Sequence, residues 1–85
     1  MNKVLVKLYD PMLDESYDVF IPVNEIVWRI KKLLIKSVSD LSDINLDINK
    51  NYILINIETG TIYDDNNIII STDIRNSTSL ALIDI

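Results

Sequence analysis

The sequence predicts an α+β domain in which one helix covers one face of a mixed β-sheet. Segments with apolar residues at every second position lie on both sides of one segment with helical periodicity. The chain of 85 residues is also too short for two cores, since a second domain needs about 50 residues of its own. Because 48% of its residues are hydrophobic, we expect one packed domain over residues 1–85.

The first two predicted strands form a hairpin. Apolar residues alternate with other residues over residues 3–9 and again over residues 17–21. The pair Asp10-Pro11 favours a turn between them, because proline lacks the amide hydrogen that a strand ladder uses. Pro22 should end the second strand for the same reason.

A helix is predicted from about residue 24 or 25 to about residue 38 or 41. Asn24 is a suitable N-cap, since its side-chain oxygen can accept a hydrogen bond from a free amide of the first turn. At helical spacing, one apolar stripe should face the sheet, and it consists of Val27, Ile30, Leu34, Val38 and Leu41. Trp28 and Ile35 lie together on another side, beside Lys31 and Lys32, and form a second, smaller strip.

The second half of the chain predicts the remaining strands. Residues 42–51 form a long polar connection, and alternation over residues 52–58 predicts a third strand. The turn Thr59-Gly60, a very short strand over residues 61–63 and a closing strand over residues 79–85 follow. The sheet should therefore have four or five strands.

The composition excludes several kinds of chemistry. The chain has no cysteine and no histidine, which excludes disulfides, thiolate nucleophiles and histidine acid-base catalysis. Its single glycine leaves no phosphate-cradling loop, so no cofactor is expected. With 8 basic and 13 acidic residues, the net charge of −5 argues against nucleic acid as a partner.

The sequence also indicates where the chain resides. It contains no apolar run near the roughly 20 residues that span a bilayer, and residues 1–10 lack the features of a secretory signal. We therefore expect a cytoplasmic protein that does not insert into the membrane.

No catalytic or metal site is predicted. Alternate polar residues occur at Asp43, Asn45, Asp47 and Asn49, as in a calcium-binding EF-hand loop. However, Ile48 replaces the required glycine and Leu54 replaces the bidentate glutamate. The acidic pairs Asp14-Glu15 and Asp64-Asp65 lie in predicted turns, where solvated carboxylates are the simpler interpretation.

The order of elements, together with particular residues, resembles the ubiquitin fold, the β-grasp. The stretches that carry the resemblance are Gly60-Thr61-Ile62-Tyr63-Asp64-Asp65, Ile69, Ile74 and Ser77-Thr78-Ser79-Leu80-Ala81-Leu82. Among bacterial ubiquitin-like proteins, the length, acidic charge and topology resemble the YukD/EsaB family, which accompanies type VII secretion systems of Gram-positive bacteria. The chain ends in Leu82-Ile83-Asp84-Ile85 and not in the Gly-Gly of a conjugated modifier, so neither conjugation nor sulfur transfer is expected.

This resemblance implies a non-catalytic adaptor whose partner is a membrane-embedded secretion component or its ATPase. The alternation of the strands predicts two sheet faces. The helix-facing set is Val4, Val6, Leu8, Tyr17, Val19, Ile21, Ile53, Ile55, Leu80 and Leu82. The opposite face then carries a partner-binding patch of Leu5, Tyr9, Phe20, Leu54, Ala81 and Ile83 among Lys7, Asp18 and Asn56.

Three alternatives stay open. The strip of Trp28 and Ile35 is a second candidate interface, in which Arg29, Lys32 and Lys36 would select an acidic partner. The connection over residues 42–51 could instead pack against Trp28. In place of an adaptor, the chain could be a self-associating module that forms a homodimer through the sheet face or through its second strand at the sheet edge.

Overall fold

The computed structural model describes residues 2–11, 13–42 and 50–85. The elements within these ranges are β1 (Lys3–Asp10), β2 (Glu15–Pro22), α1 (Val27–Ser42), β3 (Tyr52–Asn56), a short 3-10 helix (Ile69–Ser71) and β4 (Ser79–Asp84). The four strands form one sheet in the order β2-β1-β4-β3. β1 and β4 are parallel, whereas the other two pairs are antiparallel. The predicted arrangement of one helix on a mixed sheet is confirmed.

The hairpin of β1 and β2 is paired along its whole length, from Lys3 opposite Pro22 to Asp10 opposite Glu15. At its turn, the Tyr9 hydroxyl donates a hydrogen bond of 2.8 Å to Asp14 Oδ1. Asp14 has a φ of 50°, in the left-handed region that aspartate and asparagine tolerate better than most residues. Pro22 is the last residue of β2, as predicted.

The core lies between α1 and one face of the sheet. Val27, Ile30, Leu34 and Val38 are buried, as the helical spacing predicts. Leu41, the fifth predicted member of the stripe, is 59% exposed, so the stripe ends at Val38, one turn before the helix ends.

The helix begins at Val27, two or three residues later than predicted, because a distant loop supplies its first hydrogen-bond acceptors. The amide of Val27 donates to the carbonyl oxygen of Asn67 (2.8 Å), and the amide of Trp28 donates to that of Asp65 (3.1 Å). Asn24 lies in the turn before the helix and is not its N-cap.

The orientation predicted for β3 is wrong. Leu54 is fully buried and Asn56 is 6% exposed, while Ile53 and Ile55 are only half-buried. In the register, Leu54 pairs with Leu82, which packs against the core, so Leu54 faces the helix. Ile53 and Ile55 therefore lie on the outer face of the sheet.

The buried Asn56 explains this inversion. Its Oδ1 accepts hydrogen bonds from the amides of Glu58 (3.0 Å) and Thr59 (3.3 Å), and its Nδ2 donates to the Tyr63 hydroxyl (3.2 Å). A buried polar side chain is tolerated when its hydrogen bonds are made, and the turn after β3 makes them. The turn closes at Gly60, whose φ of +75° suits glycine.

The predicted very short strand over residues 61–63 is a single bridge in the structure. Ile62 pairs with Ile55 in antiparallel fashion, and the Tyr63 amide donates to the carbonyl oxygen of Leu54 (3.0 Å). This bridge covers part of the free edge of β3. β2, at the other end of the sheet, has no neighbouring strand on its outer side among the described residues.

Candidate protein-binding surfaces

The outer face of the sheet carries two apolar clusters. Leu5 and Phe20 are paired across β1 and β2 and form the smaller one, which we call the lateral cluster. The register places a second set of apolar residues in neighbouring positions, and we call it the central cluster: Tyr9, Ile53, Ile55, Ile62, Ala81 and Ile83.

A polar row separates the two clusters. Lys7 lies between Leu5 and Tyr9 along β1 and is paired with Asp18 on one side and Ser79 on the other. The single continuous patch predicted from the sequence is therefore two patches with a charged strip between them. A partner that covers both must also satisfy the lysine and the aspartate.

The residues predicted for the outer face differ in how far their side chains are exposed to solvent. Phe20 is 64% exposed and Ile62 is 58% exposed, whereas Leu5, Tyr9 and Ile83 are half-buried. Ala81 lies on the outer face but is 3% exposed, because its small side chain sits between Tyr9 and Ile55. Leu54 is buried in the core and cannot contact a partner of the folded chain.

Three members of the central cluster were not predicted from the sequence: Ile53, Ile55 and Ile62. Ile53 and Ile55 were assigned to the helix-facing side because the orientation predicted for β3 was wrong. Ile62 could have been found from the Gly60 turn, because a hairpin closed there places the residue opposite Ile55 and on the same face.

The second predicted surface lies where α1 meets the start of β3. Trp28 is 47% exposed, while Ile35 is only 4% exposed and forms an apolar floor beside it. The Nζ atom of Lys32 lies 4.9 Å from the centroid of the Trp28 ring, within the range of a cation–π contact. The structure thus brings together Trp28, Ile35 and Lys32 of the predicted residues.

Lys31 closes one end of this surface, a role that the sequence pattern does not indicate. Its Nζ donates to the carbonyl oxygen of Tyr52 (2.6 Å) and forms a salt bridge with Asp65 Oδ1 (2.6 Å). The lysine side chain is only 15% exposed, so it ties the helix to β3 and to the loop after Tyr63.

Between these elements lies a cavity of about 150 Å³, open to solvent, which we call the helix groove. Its lining residues are Trp28, Lys31, Lys32, Ile35, Lys50, Asn51, Tyr52 and Asp65. Lys50 is itself paired with Asp84, at 3.2 Å. The alternative in which residues 42–51 pack against Trp28 lies largely outside the described residues.

A polar network inside the domain has a structural part. The Tyr63 hydroxyl donates to Asp73 Oδ1 (2.5 Å) and accepts from Asn56. Burial, and next the hydrogen bond to the Asp73 carboxylate, raise the pKa of Tyr63 to about 12. The phenol is therefore neutral near pH 7 and serves as a hydrogen-bond donor between the β3 turn and the loop before β4.

The acidic pairs weighed in the sequence have ordinary structural partners. Asp64 Oδ1 accepts from the amide of Asn66 (2.9 Å), and Asp65 is paired with Lys31. Within residues 2–11, 13–42 and 50–85, no three acidic side chains converge as they would to hold a metal ion. The calcium-like pattern at Asp43, Asn45, Asp47 and Asn49 lies outside these residues.

Comparisons with known proteins bear on the fold. No protein-family model and no curated protein sequence matches this chain. Among solved structures, the ubiquitin-like domain of the Mycobacterium tuberculosis type VII secretion system protein EccD1 superposes with a TM-score of 0.74 at 10% identity, over 98% of this chain and 99% of that one. The chain has the ubiquitin-like, β-grasp fold.

Two further solved structures match this chain with similar TM-scores. A chain of the ESX-5 inner membrane complex matches 98% of this β-grasp chain with a TM-score of 0.71 at 15% identity, and 21% of that chain is covered. The ubiquitin-like domain of an Arabidopsis thaliana protein gives a TM-score of 0.69 at 19% identity, over 98% and 78% of the two chains. At such identities the likeness concerns the fold.

The structure also bears on membrane insertion. In the described part of this ubiquitin-like chain, no helix combines the length and the apolar character needed to cross a bilayer.

Proposed function

We propose that this chain is a non-catalytic, non-conjugated ubiquitin-like adaptor of the YukD/EsaB type, which binds a component of a type VII secretion apparatus. The observation that carries the proposal is the outer sheet face, where Phe20 and Ile62 expose most of their apolar surface. Exposed apolar clusters of this kind mark protein interaction sites. In this proposal, partner binding uses the lateral and central clusters, including the predicted residues Leu5, Tyr9, Phe20 and Ile83.

The likeness to the EccD1 domain supports the choice of a secretion component, since that domain belongs to a type VII secretion protein. The matched chain of an inner membrane complex supports a partner that is embedded in the membrane. The adaptor would reside in the cytoplasm and be recruited to the membrane by that partner or by its ATPase.

The test is a crosslinking pull-down from the native cell lysate, in which three purified proteins serve in turn as bait. The wild-type chain is compared with the double variant Phe20→Ser, Ile62→Ser and with the control Leu41→Ser. All three substituted residues are more than half exposed, so the fold should be kept. We expect a secretion membrane protein or its ATPase to be captured by the wild type and by Leu41→Ser but lost with the double variant.

Capture that survives the double variant would contradict the proposed surface. Capture of no secretion component at all would contradict the proposed function.

One observation favours a second candidate, self-association. β2 is eight residues long and lies at the open edge of the sheet, with Phe20 exposed beside that edge. An edge strand of this length can pair with a second copy. Light scattering of the wild type and the double variant over a range of concentrations separates the candidates, since a dimer through this region should dissociate in the variant.

A further inference from the structure

The helix groove has features that the outer sheet face lacks. It joins an exposed indole, Trp28, to a buried apolar floor, Ile35, and places a lysine ammonium 4.9 Å from the indole centroid. Its far wall is fixed by the Lys31 contacts with Tyr52 and Asp65. Two of the lining side chains, Lys31 and Asp65, are thus already held in place.

Its size limits what can enter. A cavity of about 150 Å³ is smaller than the roughly 300 to 1,000 Å³ of typical small-molecule and cofactor sites. A space of this volume suits one ring or one branched aliphatic group. The groove therefore fits a single apolar side chain better than a whole metabolite.

The charge around the groove determines which sign of charge an occupant should carry. α1 carries four basic residues, Arg29, Lys31, Lys32 and Lys36, against one acidic residue, Asp40. Lys31 is neutralised by Asp65, whereas Lys32 and Lys36 project from the same side of the helix as Trp28. Because the whole chain has a net charge of −5, this is a local basic region on an acidic molecule.

From this geometry we propose that the helix groove binds an acidic peptide segment, with one apolar side chain inserted beside Trp28 over Ile35 and flanking carboxylates near Lys32 and Lys36. The complementary charges attract the segment and orient it, while the inserted side chain removes apolar surface from water. This inference does not depend on the proposed function, because it concerns a surface formed by α1 and β3 and not the outer sheet face.

The chain contains its own reporter, since Trp28 is its only tryptophan. Three capped peptides are titrated into the wild-type protein: Glu-Glu-Phe-Glu-Glu, the uncharged Gln-Gln-Phe-Gln-Gln, and Glu-Glu-Ala-Glu-Glu, which lacks the anchor. Trp28 emission gives the affinity, and amide chemical shifts give the location. We expect the first peptide to bind most tightly, with shifts confined to Trp28, Lys32, Ile35 and the start of β3.

Two variants with the same change of charge test the basic region. Lys32→Gln should weaken binding of the acidic peptide by about two- to fivefold, as expected for one partly exposed ion pair. Lys7→Gln, on the outer sheet face, should leave the affinity unchanged. Raising the salt concentration should weaken the wild-type complex, because exposed charge pairs are screened.

A second basic variant is needed as a control, because the Lys32 side chain contacts the Trp28 ring and its replacement could alter the emission directly. Lys36 is exposed, so Lys36→Gln should reduce the affinity without altering the emission of the free protein. Phe20→Ser should bind the acidic peptide as the wild type does, which keeps this test separate from that of the outer face.

Several results would overturn the inference. Equal affinity for the Glu and Gln peptides would show that charge does not contribute to binding. Equal affinity for the Phe and Ala peptides would show that no apolar side chain is inserted. Shifts centred on the outer sheet face, or no change in emission or spectrum at millimolar peptide, would show that the groove is not a peptide site.

Discussion

At the scale of single residues, β3 shows where sequence patterns stop being informative. Alternation over residues 52–58 correctly separates two faces but does not say which one is buried, since both faces carry large apolar residues, Ile53 and Ile55 on one and Leu54 on the other. The prediction placed Asn56 on the exposed face. The structure buries it because the following turn and Tyr63 supply its hydrogen-bond partners, and these partners cannot be inferred from alternation.

The first prediction concerns this orientation. Leu54→Ala should lower the free energy of unfolding by about 2 to 5 kcal/mol, because it removes a fully buried side chain and leaves a cavity. Its neighbour Ile53, half-buried on the outer face, provides the matched control. Urea unfolding followed by circular dichroism measures both. A loss for Ile53→Ala as large as that for Leu54→Ala would contradict the assigned faces.

The second prediction concerns pH. The folded-state pKa of Tyr63, about 12, lies above its ordinary value of 10.0, so its stabilising effect is complete below pH 10 and is lost as the pH rises towards 12. The wild type should therefore exceed Tyr63→Phe in unfolding free energy by a constant margin up to about pH 9, and by a shrinking margin above it. Urea unfolding of both proteins from pH 7 to 11.5 measures the margin, and a margin independent of pH would contradict the assignment.

At the scale of elements, the strands and the helix were predictable, but the start of the helix was not. Helical periodicity identified the buried positions from Val27 to Val38. The first turn instead depends on carbonyl groups from residues 65 and 67, which are close in space but about 40 residues away in sequence. Local capping rules favour Asn24 because they take account only of neighbouring residues.

A third prediction follows for this helix. Asn24→Ala should change the unfolding free energy by less than about 0.5 kcal/mol, whereas loss of a true N-cap typically costs about 1 kcal/mol. The amides of Val27 and Trp28 should exchange slowly with deuterium, because both are hydrogen-bonded to the loop. Hydrogen exchange followed by NMR measures this. Fast exchange at both amides would show that the loop does not cap the helix.

At the scale of the candidate surfaces, the sequence predicted the components better than their arrangement. It identified Phe20, Trp28 and Lys32 as exposed features, and the structure exposes Phe20 and Trp28 and stacks Lys32 against the indole. The division of the outer face by Lys7 depends on strand register, and the groove wall formed by Lys31 depends on tertiary contacts. Neither can be read from periodicity.

At the scale of the whole molecule, the sheet depends on its most C-terminal strand. β4 lies between β1 and β3 and pairs with both, so it joins the β1–β2 hairpin to the rest of the sheet. We therefore predict that deletion of residues 79–85 abolishes the cooperative unfolding transition. Removal of the exposed Ile85 alone should preserve it. Thermal unfolding followed by circular dichroism measures this, and a cooperative transition in the longer deletion would contradict the prediction.

The central position of β4 also fixes an order of events during synthesis. The ribosome synthesises β1, β2 and α1 before β4. The sheet cannot close until β4 is present, because Tyr9 of β1 pairs with Ala81 of β4. Until then, the edge of β1 that pairs with β4 has no neighbouring strand and is open to other chains. The nascent chain therefore cannot complete its sheet strand by strand as it is synthesised. The β1–β4 contacts, which join residues far apart in the sequence, form after those of the hairpin.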